Sequence, residues 1–508
     1  MRRLARLSLI NAMAFAVVIA LLACGYLALP FGLTINAPGS SGDPLPAAEV
    51  PRRLVVPPGF SIQTYAEGII NARFLLFTEG GDLLVSAPRQ SKVVLVARDT
   101  DGDGRADGQR VLLDKLNQPH GLAYRDGWLY IAETNAVVRV RFDPATGTVS
   151  GTPERIAELP DGGNHWTRTI HIGPDDELWV SMGSTCNACI EADKRRSTIM
   201  RFNRDGSGGE IYASGLRNAV DFAWQPGTNA LYATDNGRDL LGDDFPPDEL
   251  DQIVQGGFYG WPFANGNRIA DPDFGADHAA EIAASRAPVH EFGAHVAALG
   301  ITFYEPPPGQ PAAAFPPAYH GAAFVAQHGS WNRSKKSGYQ VVVLHFRPDG
   351  SISEEPFATG FMVNEKVFGR PVDVAVGPDG ALYLSDDFTG SIYRIAYGSR
   401  AAAPAGAAAA PGARATAATD PLAGLDPASL AAARAHGEQL WNDNSCISCH
   451  TTAQVPGQTY RPLPGLRGRY TIDSLTALLR TPPPPMPPPP LDDDQRRDLA
   501  VYLLATFQ

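Results

Sequence analysis

Cys446-Ile447-Ser448-Cys449-His450 places two thiols three residues apart with an imidazole directly after them. Two such thiols can hold a porphyrin through thioethers while His450 coordinates its iron, so the run specifies one covalently bound haem c. Met486 is the only methionine beyond residue 425, and the prolines from 482 to 490 fix it on a stiff backbone, so elimination makes its thioether the other axial ligand. A His–Met pair raises the potential, as suits an acceptor of electrons. His436, ahead of the haem run, is the alternative. A second group of donors is Asp99, Asp101, Asp103 and Asp107, alternating with Gly102 and Gly104 like the front of a Ca2+ loop, although Arg110 stands where such a loop closes with Glu. A third set is spread out: His165 lies nine residues before Pro174, Arg217 nine before Pro226 and Arg370 eight before Pro378.

Those prolines belong to a phrase that recurs between residues 55 and 398: a short apolar strand, a turn built on Pro, Asp or Gly, then a second strand. It runs Phe74 to Val85, Leu122 to Ile131, Ile170 to Val180, Phe222 to Ala233, Ile301 to Val325 and Val374 to Leu384. Six such hairpins predict an all-β six-bladed propeller, in which each four-stranded blade needs its neighbours to bury its faces. An ordinary β-sandwich is the rival architecture. In a propeller the loops entering the innermost strands lie at one end of the central channel. His165, Arg217 and Arg370 therefore converge on one mouth, a place for an anion with a base beside it.

An Ala-, Pro- and Gly-rich stretch, 399–425, reads as a linker. A small all-α domain over 426–508 follows, with Asp426 capping a first helix, a last helix starting near Asp492, and Gly437 allowing the two to approach closely. At the other end, Arg2, Arg3 and Arg6 precede an apolar run from Leu7 to Leu29, long enough to cross a bilayer once. Residues 1–33 are therefore expected to be a membrane anchor or signal segment and 34–54 a tether. The remainder would face the periplasm from a bacterial inner membrane. Cleavage, or lipidation at Cys24, is the alternative. In an exported chain, Cys186-Asn187-Ala188-Cys189, with no His after it, reads as a local disulfide.

The 508 residues exceed what one core organises, and 51 Gly with 44 Pro suit a turn-rich β chain. The net charge of −12 argues against nucleic acid as a partner.

Six segments carry a family resemblance: Gly163-Asn164-His165-Trp166-Thr167-Arg168-Thr169, Ser214-Gly215-Leu216-Arg217-Asn218, Thr234-Asp235-Asn236-Gly237-Arg238-Asp239, Gly257-Phe258-Tyr259-Gly260-Trp261-Pro262, His328-Gly329-Ser330-Trp331-Asn332-Arg333 and Gly369-Arg370-Pro371-Val372-Asp373-Val374. Together they resemble the pyrroloquinoline-quinone-dependent soluble aldose and sorbosone dehydrogenases across residues 55–398. The resemblance implies His165 as the base and Arg217 with Asn218 as polarisers of the quinone carbonyl. It implies Arg333 and Arg370 as carboxylate clamps, Lys335 and Lys336 adding charge, and Tyr259 and Trp261 as further cofactor contacts. It also implies a Ca2+ held against the quinone by the turn Asn236-Gly237-Arg238 with Asp248. Val372 stands where such enzymes carry a second basic clamp. His120 and His171 read as structural, and 265–298, with His290 and His295, as part of the rim.

Residues 426–508 resemble class I cytochromes c. The expectation is a quinohaemoprotein oxidoreductase: an aldose or sugar aldehyde is oxidised, electrons pass to the haem, and a respiratory acceptor takes them. A Ca2+-dependent propeller lactonase and a non-catalytic binding propeller carrying an electron-transfer cytochrome are the alternatives.

Overall fold

Short strands with alternating burial, punctuated by tight turns, assemble into six four-stranded antiparallel sheets. The structure is a computed structural model that describes residues 35–309, 311, 313–398, 421–422, 425–443, 446, 463, 466–467, 470–480, 482 and 491–507. Blade 1 comprises Leu75–Phe77, Leu83–Ala87, Lys92–Ala97 and Gly108–Leu113, and blade 2 Leu122–Arg125, Trp128–Glu133, Ala136–Asp143 and Thr148–Glu158. Blade 3 comprises Arg168–Ile172, Leu178–Met182, Thr198–Phe202 and Glu210–Ser214, with Gly257–Phe258 added in parallel at its edge. Blade 4 is built from Ala219–Trp224, Leu231–Asp235, Pro247–Ile253 and His290–Ala294, and blade 5 from Ala298–Phe303, Ala323–Gln327, Gln340–Phe346 and Ile352–Ala358. Blade 6 takes Pro371–Val376, Leu382–Asp386 and Ser391–Tyr397 and is completed by Phe60–Ala66 from the start of the propeller, with Phe60 opposite Tyr397.

The inner hairpins are those the sequence predicts. At Gly380 the backbone is left-handed (φ 79°) and its N–H donates to Gly377 O at 2.9 Å. A Cβ there would approach Ala314 Cα to 2.8 Å, so the turn needs glycine on both counts.

The core lies between blades rather than on the axis. Leu84 and Leu95 pack on Leu129 and Ile131 between blades 1 and 2, and Tyr130 on Ile170 and Val180 between blades 2 and 3. Trp179 meets Phe222, Tyr232 meets Ile301, Phe324 meets Val374, and Tyr383 meets Leu75, which closes the ring. At about 1.5–3 kcal/mol for each large side chain buried, these six interfaces hold the fold. On the axis itself only Val220, Leu299 and Val372 form a small aliphatic cluster. The polar loops above it are free to build a site.

The expected tether 34–54 is corrected over its described part. Leu45, Val50 and Leu54 are buried in the cluster between blades 5 and 6, and the short helix α1 (Val50–Arg53) ends there. Three apolar side chains spaced along a polar strap find that groove. A second short helix, α2 (Ala279–Ala284), lies in the excursion between the third and fourth strands of blade 4.

The chain divides into two compact units at Ala402/Ala403. In the second, α3 (Pro427–Asp443), α4 (Ile472–Arg480) and α5 (Asp493–Thr506) bury Leu440, Trp441, Leu475, Leu499 and Leu503. Asp426 caps α3 by accepting from Ser429 N at 3.0 Å, and Asp492 with Gln495 forms a reciprocal box at α5. A Cβ on Gly437 would reach Asp498 O at 2.3 Å, so glycine sets the close approach of α3 and α5. Among the described residues no helix is long and apolar enough to cross a membrane; Leu7 to Leu29 and Cys24 lie outside them.

Candidate active site

The loops entering the first strands and those joining second to third strands open at the same end of the propeller. They line a cavity of about 430 Å3. That volume lies within the range of small-molecule sites, about 300–1,000 Å3.

One wall carries His165. Its Nδ1 is 2.8 Å from Ser184 Oγ and 3.0 Å from Ser184 O, and Ser184 Oγ donates its own hydrogen to Cys186 O at 2.6 Å. Ser184 Oγ must therefore accept, which puts the imidazole proton on Nδ1 and leaves a lone pair on Nε2. Burial, and then Arg217, push the His165 pKa down to about 3, so the ring is neutral.

Arg217 also lines the cavity, and its own chain occupies most of its donors. Nε donates to Asn187 O at 2.9 Å, Nη2 to Asn187 Oδ1 at 2.9 Å and to Asp239 Oδ2 at 2.5 Å, and Nη1 to Asn236 O at 3.1 Å. One N–H of the five is left for a ligand. Asn218 lies beside it; its Oδ1 is buried without a partner among the described residues, a hydrogen-bonding group that a ligand would satisfy.

The opposite wall is cationic. Asp387 receives Arg73 at 3.0 Å on Oδ2, with Arg370 at 3.0 Å and His328 Nε2 at 2.9 Å on Oδ1. Burial would raise this carboxyl, but His328, Arg73 and Arg370 outweigh burial and hold it well below the usual range. His328 is itself lowered, by burial first and then by the two arginines against the pull of Asp387. Two guanidiniums facing one carboxylate beside a neutral imidazole leave one positive charge over. That surplus fits a carboxylate on a ligand.

Several expected contacts are not in the cavity wall. Arg333 reaches Asp243 O and, at 3.0 Å, Asp244 Oδ1 in the neighbouring loop, because those oxygens lie closer than the cavity. Lys335 O accepts from Arg333 Nε, and Lys336 Nζ is tied to Asn36. Tyr259 is buried behind the wall, its hydroxyl donating to Gln252 O at 2.7 Å. Trp261 Nε1 points to Asn187 O at 3.4 Å, a buttress for the loop that grips Arg217. Arg238 turns outward onto Asp271 and Asp273. His120 is buried on Thr169 Oγ1, His171 bonds Asp221 and His290 bonds Glu354, whereas His295 does reach the rim.

The donor sets for Ca2+ differ between the two places. Gly237 and Asp248 line the cavity, but Asp248 accepts from Gly237 N at 2.8 Å and Ala297 N at 2.6 Å, and burial raises its pKa to about 6. Among the described residues Asp248 belongs to no group of three or more His, Cys, Asp or Glu side chains placed to hold a metal, so an ion at this turn would be held chiefly by backbone carbonyls. On the loop of blade 1, oxygens of Asp99, Asp101 and Asp103 lie within 4.8 Å of one another, an arrangement that fits Ca2+. Asp107 lies outside that group and accepts from Thr100 N at 3.3 Å and from the Thr100 hydroxyl. Cys186 and Cys189 are joined as a disulfide.

In the helical unit Cys446 packs at the edge of the core. Cys449, His450 and Met486 lie outside the described residues. His436 Nδ1 bonds Asp498 Oδ2 at 2.7 Å on an exposed face.

Spacing alone missed Arg73, Asp387, His328 and Asp239. Arg73 stands eight residues before the turn glycine Gly81, the same offset as Arg370 before Pro378, so the rule applied to the first blade finds it. The other three sit in loops between second and third strands, which share the mouth.

A family model described as TrAA12-like matches residues 54–247 and 266–398. The chain belongs to the TrAA12-like family. This TrAA12-like chain is 29% identical over 376 residues to an uncharacterized protein of Borreliella burgdorferi, spanning 69% of this chain and 93% of that one. Among solved structures it is similar to the AA12 carbohydrate-active enzyme of Trichoderma reesei, with TM-score 0.59 and 23% identity over 68% of this chain and 98% of that one. It is also similar to the PQQ domain of pyranose dehydrogenase from Coprinopsis cinerea, with TM-score 0.57 and 20% identity over 70% and 98%. At these identities the structural likeness is one of fold. A second model, described as cytochrome c oxidase, cbb3-type, subunit III, matches residues 432–503, so the TrAA12-like propeller is followed by a cytochrome c domain. That pairing is an oxidoreductase arrangement.

Proposed function

We propose that the cavity binds pyrroloquinoline quinone and that the protein oxidises an aldose or sugar aldehyde, the electrons leaving through one haem c in the C-terminal unit. The observation that carries this reading is the His165–Ser184 pair, which aims an unprotonated Nε2 at a cavity whose far wall has a cation to spare. The quinone, when bound, supplies a two-electron acceptor for hydride from the substrate carbon.

His165 Nε2 takes the hydroxyl proton of the substrate, and Ser184 keeps the ring in the tautomer that can do so. Arg370 and Arg73 hold a ligand carboxylate. Arg73 thereby supplies the second guanidinium that Val372 cannot. Arg217, fixed by Asn187 and Asp239, presents its remaining N–H, with Asn218, to a carbonyl oxygen. A tricarboxylate beside these cations would also lift the His165 pKa towards its ordinary range, making it a stronger base than in the empty cavity. Cys446 and Cys449 would hold the haem, with His450 and Met486 on its iron. Ca2+ at Asp99, Asp101 and Asp103 would pin the blade 1 loop, away from the chemistry. The N-terminal apolar run would keep the chain at the inner membrane, facing the periplasm and a respiratory acceptor.

The test is to load the full chain with haem, add the quinone and a panel of aldoses and sugar aldehydes, and follow the reduced-haem absorbance. Quinone-dependent haem reduction that disappears in His165→Gln is expected. Intact haem with no quinone binding and no reduction would sink the proposal.

A further inference from the structure

We infer that the mouth of the propeller faces a lipid bilayer, with its rim of exposed aliphatic side chains and Trp331 lying at the membrane interface. The inference rests on reading the N-terminal apolar run as a membrane attachment, by the retained helix or by lipid on Cys24.

The strap that follows this run is fastened at the mouth. Asn36 N donates to Trp331 O at 2.8 Å, Asn36 Nδ2 donates to Ser334 O at 3.1 Å, and Lys336 Nζ donates to Asn36 Oδ1 at 2.5 Å. Trp331 lines the cavity, so the chain leaves the propeller beside the opening. Only six residues lie between Leu29 and Asn36. Fully extended, they span about 25 Å at most. A globule of this size has a radius of gyration of about 20 Å and a width of about 50 Å, so that reach cannot carry the strap round to the opposite face. Attachment at Cys24 adds five residues, for a reach of about 40 Å, still short of the route around the ring. The mouth face is therefore the near one.

The side chains there suit the position. Ile35 (61% exposed) lies next to the fastened Asn36, and Ile70, Ile190, Leu240, Trp331 (40% exposed) and Val363 sit on or beside mouth loops. These are six of the eleven large hydrophobics exposed among the described residues, gathered at one end of the propeller. Aliphatic side chains with a tryptophan are what the headgroup region accommodates. The lipid surface is thus the occupant that both the short strap and the apolar rim select.

The experiment uses the full chain in vesicles of phosphatidylethanolamine and phosphatidylglycerol (about 3:1) containing acyl-chain quenchers. A fluorophore is placed at Ile70→Cys on the rim or at Ala145→Cys in a turn at the opposite end. Stronger quenching, by about twofold or more, at Ile70 than at Ala145 supports the inference. Equal or reversed quenching while the chain floats with the vesicles overturns it and leaves the attachment standing. A chain that does not float shows that the attachment reading has failed, and the inference falls with it.

Discussion

Arg73 and Arg370, 297 residues apart, grip opposite oxygens of one buried carboxylate: Arg73 Nη1 is 3.0 Å from Asp387 Oδ2 and Arg370 Nη2 is 3.0 Å from Asp387 Oδ1. Either arginine alone keeps Asp387 in an ion pair, whereas removing both leaves the buried carboxylate with His328 as its remaining ionisable partner. Single Arg73→Met and Arg370→Met variants should fold and lose about tenfold to a hundredfold in quinone affinity, or about 1.4–2.8 kcal/mol. The double variant should lose about 3–5 kcal/mol of stability, more than the two singles together. Cofactor titration and urea unfolding read the two effects, and strict additivity in stability would refute the shared grip.

His165→Gln keeps the size of the side chain and removes the base. Turnover should fall by about 10²–10⁴. Quinone affinity, measured by absorbance titration, should stay within about threefold, because the carboxylate grip lies on the other wall.

Acid acts on two buried groups with opposite signs. Burial raises the Asp386 pKa to about 6, so its contribution to stability is complete below about pH 4 and is lost as pH rises through 6. The His165 pKa is lowered to about 3, so its contribution is present above about pH 6.5 and is lost on acidification. Between pH 7.5 and 5, Asp386→Asn should flatten the gain in stability on acidification and His165→Gln should steepen it. Urea midpoints at four pH values would decide. The same slope change in both variants would contradict the assignment.

Only two residues separate Cys186 from Cys189, so the chain-entropy gain from their disulfide is small. Asn187 between them holds Arg217 by both its backbone and its side-chain carbonyl. A Cys186→Ser, Cys189→Ser variant should therefore shift the unfolding temperature by only about 2–4 °C, yet slow sugar oxidation by about tenfold or more through loss of one positioned donor. Calorimetry and steady-state rates separate the two. Wild-type rates in the variant would show that Asn187 holds its place without the bridge.

Cys446→Ala with Cys449→Ala should abolish covalent haem, read as loss of haem absorbance after denaturation. With a soluble dye as acceptor, sugar oxidation by the propeller should continue. Loss of dye-coupled turnover in a folded variant would mean the propeller depends on the haem for more than electron removal.

The architecture was readable because the turn phrase repeats: all six inner hairpins sit where the sequence puts them. His165, Arg217 and Arg370 were readable because an offset of eight or nine residues before a turn places a residue at the mouth of the ring, and Asn218 was readable only through the family resemblance. Arg333 shows the limit of that logic. Its motif places the backbone at the mouth, but the direction of a long side chain depends on which oxygens lie nearest, and Asp243 and Asp244 belong to another blade. Tyr259 and Trp261 share the limit, being cofactor-like in type yet turned to backbone carbonyls behind the wall. Asp387 and His328 needed the second set of loops, whose lengths vary too much for a constant spacing to mark them. The docking of Leu45, Val50 and Leu54 was hidden because three apolar residues in a polar stretch have no periodicity until the groove between blades 5 and 6 exists.

Blade 6 is finished by the strand Phe60–Ala66, the first to be synthesised, pairing with Ser391–Tyr397, the last. The carboxylate grip spans the same seam, with Arg73 on one side and Arg370 and Asp387 on the other. No chain that stops short of Asp387 can own that grip. If the cavity takes the quinone as proposed, binding of a ligand carboxylate at this wall would follow closure of the ring.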